Sequence, residues 1–98
     1  ERLENFPVES SSRLMTQLAN PDALQQFLAP FGTVAEIDET DGLRARMDSG
    51  EIIHLRPSGN APELRCYSEA ASYARATAIV ALTLEKARAF ASPGTEGI

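Results

Sequence analysis

Tryptophan is absent from these 98 residues, cysteine and histidine occur once each, and aromatic residues make up only 6% of the chain. A single thiol, Cys66, excludes an internal disulfide, so packing alone must hold the fold. This agrees with a reducing compartment, and a cytoplasmic location is the expectation. With His54 and Cys66 each alone, a structural zinc site of four Cys/His ligands is excluded. No apolar run approaches the roughly 20 residues that a membrane helix needs, and no basic-then-apolar leader opens the chain. Positive charge is scarce too: 9 Lys and Arg face 14 Asp and Glu, a net charge of −5. That balance, with so few aromatics, argues against a nucleic-acid binder, which needs a basic face and stacking rings. The first residue is Glu1, and a fragment or processed product is the simplest expectation.

What is present fits one compact domain with a modest core, 43% of the residues being hydrophobic. Charge is unevenly spread. Residues 42–66 hold four arginines (Arg44, Arg46, Arg56, Arg65) against three acids, a local +1 that leaves −6 for the rest of the chain. Such a segment suggests a local anion site, although arginines alternating outward on strands produce the same count.

Residues 6–19 carry no clean periodicity. Pro7 argues against a central strand, which leaves an edge strand or a lead-in. Asn20-Pro21-Asp22 is a helix start: an Asn cap, Pro at the first helical position, and an acid near the positive end of the dipole. Leu24, Phe27, Leu28 and Phe31 follow at helical spacing, which predicts a helix over 21–30 that stops near Pro30 and Gly32. The period then changes to two. Strands are expected from Thr33 to Glu39, through Leu43–Met47, over Ile52–Arg56 and over Leu64–Glu69, with turns at Asp41-Gly42 and Asp48-Ser49-Gly50. Ser72 is the expected cap of a last helix running to about Phe90, with Ala76, Ile79, Val80, Leu84 and Ala87 on one stripe. The expected fold class is therefore α+β: an antiparallel sheet of about four to five strands with two helices on one face. Residues 1–91 form the expected domain, and 92–98 read as a tail.

The stretch with chemical content is Arg56 to Arg65, RPSGNAPELR. Arg56 ends a strand and offers a fork of donors matched to phosphate. Ser58 adds a hydroxyl, Gly59 permits close backbone approach, and Asn60 adds an amide. Successive N–H groups in such a turn can form an anion nest. Pro57 and Pro62 stiffen the ends of the loop. The same residues also describe a plain surface turn. The loop is no Walker-type P-loop, because it lacks the Gly-Lys-Ser/Thr ending and precedes a strand. Asp38, Glu39 and Asp41 are close in sequence but read as a solvated strand end rather than a metal site. His54 is placed on the polar strand face and Cys66 in the core, while Tyr67 reads as a surface aromatic. The Ser10–Ser12 run and Arg13 are at most a contact for a neighbouring domain.

From Asp41-Gly42-Leu43 through RPSGNAPELR to Tyr67, Glu69 and Ala70, the chain resembles the C-terminal, fourth domain of the α-D-phosphohexomutases, the phosphomannomutase/phosphoglucomutase family. That family has an Asp-Gly-Leu-basic strand, a basic-Pro-Ser-Gly/Asn-Thr-Glu-Pro loop, an aliphatic-Arg strand, and a Glu-Ala leading into a helix. The resemblance implies a TATA-binding-protein-like fold. It also implies a role in gripping the phosphate of a hexose phosphate that is not being transferred, by Arg56, Ser58, Gly59 and Asn60. Arg65 is implied either as a brace for the loop or as a ligand contact. The implied parent is an isomerase, an intramolecular phosphotransferase with four domains around one cleft. Its phosphoserine and its Mg²⁺ loop lie in other domains, so this chain alone is expected to be inactive. Asn60 and Ala61 depart from the usual Thr and Glu. A hexose phosphate, mannose or glucose phosphate, and the other domains of the same enzyme are the implied partners. The alternative is a stand-alone α+β module that binds a small ligand or a protein.

Overall fold

Caps, turns and alternation account for most elements of the computed structural model, which describes residues 2–3, 8–58 and 63–91. In chain order these are β1 (Arg2–Leu3), α1 (Val8–Leu18), α2 (Pro21–Leu28), a 3-10 turn (Ala29–Phe31), β2 (Val34–Asp38), β3 (Leu43–Met47), β4 (Ile52–Pro57), β5 (Leu64–Glu69) and α3 (Tyr73–Ala91). The strands form one antiparallel sheet in the order β1-β5-β4-β3-β2. The fold is α+β, as expected.

One expectation fails. Residues 8–18 are a helix rather than an edge strand or lead-in, so three helices accompany the sheet instead of two. The buried face of α1 is made by Ser10, Ser11, Leu14 and Leu18. Two of those four positions are small and polar, which hides the helical stripe from a reading of hydrophobic periodicity. The burial of Ser10 and Ser11 also removes them from any contact with a neighbouring domain, whereas Ser12 and Arg13 stay exposed.

The other helices start as their signals dictate. Asn20 Oδ1 accepts from the N–H groups of Asp22 at 2.9 Å and Ala23 at 3.0 Å, with Pro21 at the first helical position. The α-helical part of α2 ends at Leu28, two residues short of the expected stop. The 3-10 turn carries the chain past Pro30, which has no N–H to extend an α-helical ladder. The Gln25 side chain then clips this turn to the sheet, donating to the Gly32 carbonyl at 3.0 Å and accepting from Val34 N–H at 2.9 Å. Ser72 caps α3 by accepting from Arg75 N–H at 3.1 Å.

Inward residues of the three central strands meet the helices in one core. Leu43, Ala45 and Met47, then Ile53 and Leu55, then Leu64 and Cys66 pack with Leu14, Leu24, Ile79 and Ala87. Thr83, also fully buried, satisfies its hydroxyl by donating to the Ile79 carbonyl at 2.7 Å. Among the described residues no helix covers the opposite side of the sheet, which carries the more exposed half of each alternation, including Arg44, Arg46, Arg56 and Glu69. No helix among the described residues is long and apolar enough to cross a membrane.

Candidate functional site

The open sheet face is laid out by register. Arg44 stands opposite His54, and His54 opposite Tyr67; one step along, Arg56 stands directly opposite Arg65. The β1 residue paired with Arg65 is Arg2. Strand alternation alone thus brings the arginines of β4 and β5 to the sheet end where the loop after Pro57 begins. Like charges directly opposite one another on a sheet repel, so nearby carboxylates ease this arrangement.

Each of the four arginines of β3, β4 and β5 meets a carboxylate. Arg46 lies 3.2 Å from Glu36, Arg44 3.8 Å from Glu69, Arg56 3.3 Å from Asp41 and Arg65 3.6 Å from Glu63. The Arg56–Asp41 pair is on the surface, with 44% and 65% of the two side chains exposed. Arg56 is therefore reachable from solvent rather than locked into an internal bridge. Arg65 is different, since its Nε is buried, makes no hydrogen bond, and faces the Glu63 carboxylate at 3.6 Å.

The loop itself is closed at its base. Pro57 pairs with Leu64, and Ser58 N–H donates to the Glu63 carbonyl at 3.0 Å. The Ser58 amide is thus committed to the hairpin and does not contribute to an anion nest. Gly59 and Asn60, the other two residues expected at the site, lie outside the described residues, as do Ala61 and Pro62. The structure brings together Arg56, the start of the loop at Ser58, and Arg65.

Asp41 lies in a solvated turn, as expected; what the sequence does not show is that its carboxylate pairs with Arg56 and its carbonyl meets His54 Nε2. The signal was its partner in the dipeptide. Gly42 has φ +75°, and a Cβ there would lie 2.3 Å from the Leu55 carbonyl oxygen, so the turn sits directly on β4. His54, on the polar face as expected, also faces Tyr67 across the strands, with ring centroids 5.9 Å apart. Tyr67 is an exposed surface aromatic, and Cys66 is fully buried. Asp38 is held below the ordinary carboxylate value by hydrogen bonding from Thr40, whose N–H donates to it at 2.9 Å. Among the described residues no group of three or more His, Cys, Asp or Glu could hold a metal ion. An open cleft of about 720 Å³ in the helical layer, between α1 and α2 and bordered by Arg13 and Phe90, is lined by none of the described loop residues.

The family model for the C-terminal domain of phosphoglucomutase/phosphomannomutase matches residues 3–86, nearly the whole chain. The chain belongs to this family. A phosphomannomutase of Sinorhizobium fredii (strain NBRC 101917 / NGR234) is 47% identical over 70 residues, covering 70% of this chain and 15% of its own length. A phosphomannomutase of Salmonella muenchen is 43% identical over 86 residues, covering 85% of this chain and 18% of its own length. The chain therefore spans less than a fifth of the length of these phosphomannomutases and corresponds to the family's C-terminal domain.

Proposed function

We propose that this domain grips the non-transferring phosphate of a hexose phosphate, mannose or glucose phosphate, during 1,6-phosphoryl transfer in a phosphomannomutase/phosphoglucomutase. The observation that carries the reading is the direct register of Arg56 and Arg65 at the mouth of the loop. Two guanidinium groups on one face give a dianion two sets of charge-assisted donors. Ser58, Gly59 and Asn60 would complete the seat. Arg56 supplies the accessible charge, while Arg65, paired through its Nε with Glu63, braces the loop or adds a second contact.

Such a grip contributes orientation rather than chemistry. Binding energy from a phosphate far from the reacting centre positions the sugar and favours closure of the cleft. The phosphoserine and the Mg²⁺ that carry transfer would reside in other domains of the same enzyme, so turnover requires them.

The test is a titration of the ¹⁵N-labelled 98-residue chain with inorganic phosphate, followed by NMR. Amide shifts confined to residues 56–61 and Arg65, and lost in Arg56→Ala, are expected. Affinity should be weak because the remaining contacts to the sugar are missing. Shifts spread evenly over the surface, or unchanged by Arg56→Ala, would overturn the assignment.

A further inference from the structure

The turn between β2 and β3 does more than reverse the chain. It folds onto β4, and the carboxylate it brings there is the partner of the arginine at the head of the loop. We propose that Asp41 is a positioning residue for the phosphate site, holding Arg56 by its Nε so that the guanidinium stays on station beside the loop. The proposal rests on the phosphate reading above and adds to it a residue outside the loop.

Three contacts define the arrangement. Asp41 Oδ1 lies 3.3 Å from Arg56 Nε. The carbonyl of the same residue meets His54 Nε2, two residues earlier on the same strand face. At Gly42, the missing Cβ would fall 2.3 Å from the Leu55 carbonyl oxygen and 3.1 Å from Arg56 Cα. The backbone of the turn therefore touches β4 at the residue whose side chain the carboxylate holds. In an ordinary surface pair two flexible chains search for each other; here the position of the acid is set by main-chain contact.

The chemistry of the guanidinium gives this geometry its use. The ion pair sets Asp41 against the Nε end of the guanidinium, which leaves the terminal nitrogens, with four of its five N–H donors, for a ligand. An exposed ion pair adds little to folding stability. Its value lies in ordering a long side chain before the ligand arrives, so that less freedom is lost on binding. Asp41 also offsets the repulsion between Arg56 and Arg65 while the site is empty of anion.

The charge of Asp41 works against an incoming phosphate, so its removal has two opposed effects. Two neutral variants separate them. Asp41→Asn keeps an oxygen acceptor for Arg56, and Asp41→Ala does not, while both lose the charge. In titrations of the 98-residue chain with inorganic phosphate, Asp41→Ala is expected to bind about three- to tenfold more weakly than Asp41→Asn, the size of one side chain's ordering. In the absence of phosphate, the Arg56 Nε–Hε resonance should stay protected from solvent exchange in the Asn variant and lose that protection in the Ala variant. A dispersed amide spectrum in both checks that the fold is intact. Equal phosphate affinities for the two variants, or an Arg56 resonance unaffected in Asp41→Ala, would overturn the role of Asp41 while leaving the phosphate site standing. Absence of phosphate shifts in the unmodified chain would instead overturn the phosphate reading, and the positioning role with it.

Discussion

At the scale of single residues, Gly42 and Arg56 carry the sharpest consequences. Gly42 is held at φ +75° with its α-carbon against the β4 backbone. A side chain there meets a carbonyl oxygen that belongs to the ladder and cannot swing aside. Gly42→Ala is expected to destabilise the fold by about 1–3 kcal/mol, from the unfavourable φ and the forced displacement of the turn. Urea unfolding midpoints measure this. The same substitution should also disturb the Arg56 signals, because the turn that carries Asp41 moves with it. Gly32 and Gly50 also have positive φ but open space where a Cβ would go, so among the described glycines a clash is specific to Gly42.

Elements are held by their ends. The α2 cap uses both bonds that Asn20 Oδ1 can accept. Asn20→Ala leaves two N–H groups at the helix start without that partner, and a loss of about 1 kcal/mol is expected, read as a lower urea midpoint at unchanged slope. The α3 start is tied differently. Arg75 makes a bidentate contact with Glu51, at 2.8 and 3.2 Å, and lies over the Phe31 ring 6.0 Å from its centroid. A cation in the first turn of a helix is disfavoured by the dipole. Glu51, from the turn between β3 and β4, neutralises it and fixes the helix to the sheet. The outer strand β2 protects its own edge, since it is mostly exposed, charged and shifted in register between Val34 and Glu36.

For the whole molecule, the division of labour between the two sheet faces sets both stability and pH response. The helix-covered face holds the core, and the open face holds the charges. Glu51 is held below the ordinary carboxylate value by its hydrogen bond from Arg75, helped by the charge of that guanidinium, and Asp38 is lowered by Thr40. The unfolded chain therefore binds protons more readily than the folded one in acid. The stability from these groups is present in full above the ordinary carboxylate range and is lost as pH falls through their lowered values. Urea midpoints measured from pH 7 down to pH 3 should decline at the acid end. Glu51→Gln should be less stable than the unmodified chain at pH 7, and the gap should narrow toward pH 3. A gap that widened in acid would reverse the sign of the argument.

Local chemistry, written in the sequence, settled the helix starts at Asn20 and Ser72, the alternation of β3 to β5 and the burial of Cys66. These are near-neighbour effects: caps, turns and a period of two act within a few residues. The family resemblance was legible too, because it rests on a contiguous run of residues. Only the tertiary structure decided that residues 8–18 form a helix, whose inner face is half serine, and that Arg65 stands opposite Arg56. Only it, likewise, brought Asp41 over β4. Register and the seating of a turn on a neighbouring strand join residues far apart in the chain, and no local period records them.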